Sequence, residues 1–294
     1  MLSTFTFIEN ISKYFSSVLI TGETGTGKEI TARAIHTLSE TKNKKFVICD
    51  CASIPQNLFE SELFGYVKGA FTGADKDKKG LFEEANGGII FLDEIGEIQI
   101  PTQAKLLRAL ENRHFRPLGS NENKHVEVKV IAATNKDLRE GIKKGTFRDD
   151  LFHRLNKVEI NLPPLRKRQE DIPLLIRHFL NKYSKKFFID IKGVSRKVQK
   201  LFLRYEWSGN VRELENVLER ASMLTKKDFI DIGDLPEYFQ DTVFLPEITS
   251  FNNKNSHISL GELEREYIGY LLGANKNNLR KTAGILNVSR TTLI

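Results

Sequence analysis

Long apolar runs are missing from this sequence of 294 residues. The longest, such as 89–92, falls far short of the roughly 20 residues that cross a bilayer. No basic-then-apolar leader opens the chain either. A helical membrane span is excluded, no membrane partner is expected, and the expected localisation is cytoplasmic. Cysteine is almost absent. The two present, Cys49 and Cys51, stand at i,i+2 in an apolar run, which makes them neighbours on one strand face rather than a disulfide or a metal site. Internal repeats and low-complexity tracts are also lacking, which excludes solenoid and collagen-like architectures.

What is present supports a folded enzyme-sized chain. At 40% hydrophobic and 28% charged residues it can bury a core and divide into two or three units. Lys and Arg outnumber Asp and Glu by 45 to 38, a net +7 compatible with an anionic partner such as a nucleotide or nucleic acid. The surplus is uneven. Residues 164–227 hold 16 basic and 7 acidic residues, and 274–294 hold 4 basic and no acidic ones, which leaves the remainder acidic.

Short β-branched runs at 18–20, 46–49, 89–92, 128–132 and 158–160 alternate with amphipathic stretches such as 29–38 and 102–111. That alternation predicts an α/β layer with a parallel sheet over 1–163. After Pro163-Pro164 the strand signal gives way to helical periodicity at 172–183, 195–204 and 211–224, a smaller all-helical unit over 164–239. Residues 240–258 are polar and aperiodic and read as a linker, with a helical tail over 259–294.

The first chemical motif is Thr21-Gly22-Glu23-Thr24-Gly25-Thr26-Gly27-Lys28, placed between an apolar strand and a helical pattern. In that setting the glycines allow backbone N–H groups and the helix start to face phosphate oxygens, and Lys28 neutralises the β and γ phosphates. The competing reading is a Gly-rich turn without chemistry. Glu29 stands where a Mg²⁺-binding Ser or Thr is usual, so the metal depends on other groups. A second motif is the strand 89–92 ending in Asp93-Glu94, the edge where parallel sheets place chemistry. Asp93 is the candidate Mg²⁺ ligand and Glu94 the residue that polarises the attacking water, against the alternative of two solvated loop acids.

Gly69-Ala70-Phe71-Thr72-Gly73-Ala74, preceded by Glu62-Leu63-Phe64-Gly65, resembles the GAFTGA loop of bacterial sigma-54-dependent transcription activators, a branch of the AAA+ ATPases. With GETGTGKE and the Asp93-Glu94 strand in the same order, the resemblance covers about 16–240. It implies an α/β ATPase core with a helical lid, an ATP- and Mg²⁺-dependent hydrolase working as a ring, usually hexameric. The implied partner is the sigma-54 factor on RNA polymerase, touched by the 69–74 loop. Physically the loop sets one aromatic among small residues, so Phe71 either meets a partner or packs inward.

The resemblance assigns further roles. Asn135, after the strand 128–132, matches a sensor of the γ-phosphate; the alternative is a helix cap shared with Asp137. Arg148 and Arg154 match arginine fingers that reach a neighbouring subunit's ATP, against ion pairs to Asp149 or Asp150. Arg212 matches a second sensor, against pairing with Glu215 or Glu219. Two departures stand out: Asp50 replaces the Asn that restrains the catalytic glutamate and is expected to repel Glu94, and the chain opens about 20 residues before the phosphate loop, which shortens the expected adenine pocket. The tail from Asn278 resembles a helix-turn-helix, with Ala283 at the crossing, Asn287 in the turn, and Ser289, Arg290 and Thr291 at the expected DNA contacts. Only five residues follow Ser289, so weak binding to promoter-distal DNA is expected, or a helical hairpin without DNA affinity. Two rival functions remain at this level: a DNA-bound module with an inactive ATPase, and a remodeller of another protein.

Overall fold

The computed structural model describes residues 2–239, 260–275 and 278–289. The expected linker at 240–258 and the expected DNA contacts Arg290 and Thr291 lie outside them. The chain forms two compact units, 1–175 with 205–216, and 176–204 with 217–294. This division differs from the boundary expected at 163, because 164–175 and 205–216 belong to the sheet unit.

In the first unit five strands form one sheet. They are β1 (Ser17–Thr21), β2 (Phe46–Asp50), β3 (Ile89–Asp93), β4 (Lys129–Thr134) and β5 (Glu159–Asn161), in the order β2-β3-β4-β1-β5, every pair parallel. Each expected strand overlaps one of them. The side chains alternate between faces with a period of two. Val18, Ile20, Ile89, Phe91, Ile131 and Ala133 share one core cluster with Ile8 of α1 (Leu2–Ile11) and with Ala32 and Ile35 of α2 (Lys28–Leu38). Leu19, Ile90, Leu92, Val130 and Ala132 share the other with α3 (Gln56–Phe64), α4 (Ile100–Asn112), α5 (Leu138–Lys143) and α6 (Asp149–Leu155). A sheet covered on both faces explains why its central strands read as unbroken apolar runs. Cys49 and Cys51 are buried free thiols in this second cluster, with Cys51 just past the end of β2.

Parallel order places the carboxyl ends of β1, β4 and β3 side by side. Thr21 pairs with Thr134, and Leu92 with Ala132. The residues that follow these strands are the phosphate loop, Asn135 and Glu94, so the topology alone brings the three motifs together.

The helical patterns expected after 163 form α7 (Ile172–Phe187), α8 (Arg196–Arg204) and α9 (Asn210–Leu224). In the second unit α8 buries Val198 and Phe202, the Ser195 hydroxyl accepts the Val198 N–H, and Phe202 packs against Phe239. Gly193–Val194 pairs in parallel with Phe229–Ile230. In the tail, α10 (Leu260–Ala274) is followed by α11 (Leu279–Leu286). Asn278 caps α11 by accepting the Lys281 N–H, Ala283 is buried, and Asn287 ends the helix at φ 55°, the left-handed conformation expected of it. Among the described residues no helix is long and apolar enough to cross a membrane.

Candidate functional site

Gly27, at φ 105°, turns the chain from the loop after β1 into α2, whose first residue is Lys28. Lys28 is 7% exposed, and its ammonium donates to the Gly22 carbonyl at 3.1 Å while lying 3.2 Å from Glu94 Oε1. The other Glu94 oxygen accepts the Asn135 backbone N–H at 3.1 Å. The Asn135 side-chain amide donates in turn to the Thr24 hydroxyl at 3.0 Å. Loop, acid and sensor therefore form one connected polar cluster across three strand ends. Asp137 is the cap of α5, accepting from the Arg139 and Glu140 N–H groups, which leaves the Asn135 side chain to the site.

Asp93 Oδ1 accepts the Glu94 N–H at 3.0 Å. Burial first, then the adjacent Glu94 carboxylate, push its pKa upward, while that hydrogen bond and Lys28 pull against them. A half-buried carboxylate whose Oδ2 has no hydrogen-bond partner among the described residues is an oxygen donor suited to Mg²⁺. Asp50 pairs in register with Asp93, and its Oδ1 accepts the Ala52 and Ser53 N–H groups. The Asp50 charge adds to the upward push on the Asp93 pKa.

Two acidic residues of the motif face elsewhere. Glu29 is ion-paired with Arg33 one turn along α2, at 2.8 Å, so its carboxylate serves the helix surface and not the crevice. Glu23 is gripped by both terminal nitrogens of Arg166, at 2.5 and 2.7 Å, and by the Asn210 amide at 3.2 Å. These bonds, Arg166 first, hold its pKa down to about 2 from an ordinary 4.5. Because the folded value is depressed, the stabilisation is complete above pH 4.5 and is lost as pH falls toward 2. Glu23→Gln is expected to flatten that part of the acid limb in urea midpoints measured against pH by lowering the neutral plateau, and by a small amount because the pair is a third or more exposed.

The description "Sigma-54 interaction domain" matches residues 1–161, and "AAA+ ATPase lid domain" matches 166–244. The chain belongs to the sigma-54 interaction domain family. It is 44% identical over 282 residues to the regulatory protein AtoC of Escherichia coli (strain K12), covering 95% of this chain and 61% of that protein. It is 43% identical over 293 residues to the nitrogen fixation protein VnfA of Azotobacter vinelandii, covering 100% of this chain and 56% of that protein. The crystal structure of NtrX from Brucella abortus in complex with ADP matches with a TM-score of 0.78 at 33% identity, over 99% of this chain and 66% of that one. Hsp104 of S. cerevisiae, at 16% identity and a TM-score of 0.54, shares the fold over 74% of this chain. The chain spans about three fifths of the length of the curated relatives AtoC and VnfA.

Within this sigma-54 interaction domain, the 69–74 loop closes on itself. Gly69 at φ 82° and Gly73 at φ 96° bend it, the Gly69 N–H donates to Ala74 O at 2.9 Å, and the Ala74 N–H to Phe71 O at 3.0 Å. Phe71 is 42% exposed, with its ring edge against Tyr66 at 5.0 Å, so it belongs neither to the core nor wholly to solvent. The loop base is held to the neighbouring hairpin segment: the Val67 N–H donates to Leu118 O and the Leu118 N–H to Gly65 O. A cavity of about 840 Å³ lined by Phe64, Arg108, Phe115, Arg116 and Gly119 lies beside it, away from the phosphate loop.

Arg148 precedes α6 and is paired with Asp150, with its backbone N–H on Gln103 Oε1. Arg154 donates to Leu110 O at 2.6 Å. Gln103 and Leu110 stand about 10 Å apart along α4 at 1.5 Å per residue, so the two arginines occupy different ends of α6. Neither contacts the cluster of Lys28, Asp93 and Glu94 in its own chain. Arg212 is exposed and makes no ion pair among the described residues; Glu219, its expected rival partner, is bound to Lys186 at 2.7 Å. Ser289 is exposed beyond α11. The groups that grip Glu23, Arg166 and Asn210, were not expected from the sequence.

Proposed function

We propose that the chain hydrolyses ATP in the crevice of Lys28, Asp93, Glu94 and Asn135, and that a ring of its copies uses the cycle to remodel sigma-54 RNA polymerase through the 69–74 loop. The observation that carries the ATPase reading is the convergence of the lysine ammonium and the Asn135 N–H on the two oxygens of Glu94. Lys28 is the cation for the β and γ phosphates, which exchange it away from Glu94 when they enter. Glu94, so released, accepts the proton of the attacking water, held in aim by Asn135. Asp93 holds Mg²⁺, which supplies charge neutralisation at the phosphate oxygens. Arg148 and Arg154, which touch nothing in their own crevice, act on the ATP of a neighbouring copy in the ring, and Arg212 contacts phosphate from the α9 side. The α10–α11 pair with its Asn287 turn supports weak contact with promoter-distal DNA through Ser289, Arg290 and Thr291.

One experiment tests both halves. Phosphate release per subunit should climb with protein concentration, because fingers supplied in trans act only on assembly, and a chain trapped with a transition-state nucleotide analogue should capture purified sigma-54 factor. Phe71→Ala is expected to keep hydrolysis and lose capture, since an exposed aromatic anchor carries a large share of a small contact. Capture retained by Phe71→Ala overturns the loop assignment; absence of phosphate release at every concentration overturns the enzyme.

A further inference from the structure

Three consecutive carbonyls of the phosphate loop are tied from outside it. Thr24 O accepts the Asn210 side-chain amide at 3.0 Å, Gly25 O accepts the Val211 backbone N–H at 3.0 Å, and Thr26 O accepts the Arg168 guanidinium at 2.9 Å. In a trans peptide the carbonyl and the next residue's N–H point in opposite directions. Three outward ties therefore turn the N–H groups of Gly25, Thr26 and Gly27 away from the ties. The Thr26 N–H is taken by Glu23 O at 3.3 Å within the loop, which leaves the N–H groups of Gly25 and Gly27.

We propose that Asn210 and Arg168 are positioning residues of the phosphate loop: neither is a phosphate ligand, and together they set the peptide planes whose N–H groups are. The inference rests on the reading of this loop as the nucleotide phosphate site.

Asn210 is suited to nothing less specific. It is fully buried at φ 53°, a left-handed conformation that Gly adopts at lower cost, so the amide is what the position retains. That amide is fully used. Its oxygen accepts the Leu165 N–H at 2.7 Å, and its nitrogen donates to Thr24 O and to Glu23 Oε2 at 3.2 Å. Arg168 is 6% exposed, and its burial lowers the guanidinium pKa. Asp171 stands 3.9 Å away, too far for a hydrogen bond, and Nε has no hydrogen-bond partner among the described residues. A buried guanidinium so poorly compensated is a net cost to folding, and the bond it does make is to Thr26 O. Close approach of the segments depends on glycine: a Cβ on Gly25 would lie 2.2 Å from Gly209 O. One glycine of the motif thus serves the clamp as well as the cradle.

Substitutions that keep the fold separate this role from plain support. Arg168→Met keeps the apolar stem and removes the donor to Thr26 O, whereas Arg168→Lys keeps one donor. Asn210→Asp keeps the acceptor for the Leu165 N–H and removes the donor to Thr24 O. The measurement is the affinity for ADP and for AMP by calorimetry, with thermal unfolding in parallel. AMP lacks the β-phosphate, so the preference for ADP reads the cradle. Arg168→Met and Asn210→Asp are expected to cut that preference by about tenfold or more through ADP alone, and Arg168→Lys to recover most of it. Equal loss of ADP and AMP affinity, or an unchanged preference in a folded variant, overturns the proposal. Should Arg168→Met fail to fold, Asn210→Asp and Arg168→Lys carry the same comparison. A wild-type chain with no preference for ADP over AMP overturns the phosphate-loop reading instead.

Discussion

Replacing Glu94 with Gln is expected to tighten ATP binding severalfold and to cut turnover by about 10²–10⁴-fold. The second effect follows from losing a positioned proton acceptor for the attacking water. The first follows from the Lys28–Glu94 contact. Lys28 lies 3.2 Å from Glu94 Oε1 and is nearly buried, so incoming phosphates must take the ammonium from a carboxylate. Glutamine cannot hold it with charge, and that competition disappears. Single-turnover phosphate release together with a fluorescent-ATP titration checks both parts. Turnover within tenfold of wild type would place the proton acceptor elsewhere.

Lys28→Ala is expected to weaken ADP and ATP binding by roughly a hundredfold or more, because a charge-assisted contact to phosphate in a poorly solvated site has no substitute nearby. The same change strips the cation from Asp93 and Glu94. Lys28 is one of the groups restraining the upward pKa shift of Asp93, so the variant leaves two adjacent acids beside Asp50 without that cation. Calorimetric titration with ADP measures the loss, and a dissociation constant within tenfold of wild type would mean the loop backbone holds the phosphates unaided.

The strands and the placing of the phosphate loop, Glu94 and Asn135 at their ends were legible in the sequence because both signals are local. An unbroken apolar run followed by Asp93-Glu94 or by Asn135 announces its own place at the carboxyl edge of a covered parallel sheet. The glycines of the phosphate loop and the left-handed Asn287 are equally self-contained. What escaped was contact at long range. Arg168 lies 142 residues from the carbonyl it binds, and Asn210 lies 186 from Thr24 O. In sequence the first is one basic residue of the basic segment 164–227 and the second stands just before the helical pattern at 211–224. Glu23 and Glu29 looked like parts of a nucleotide contact because they stand inside the motif. Their partners, Arg166 across the fold and Arg33 one turn away, decide otherwise. The return of 205–216 to the sheet unit is hidden for the same reason, since periodicity reports the element and not its neighbour.

Gly119 sits at φ 74° with its α-carbon packed so near the 69–74 loop that an added Cβ would come within 2.7 Å of the Ala70 Cβ. Together with the backbone bonds from Val67 and Leu118, this leaves no space in which either segment could change size alone. For inheritance the two positions behave as one locus: a larger residue at 70 is tolerated only with a retreat at 119, where the glycine has no side chain to give up. Drift in the hairpin is thereby throttled by the loop it supports.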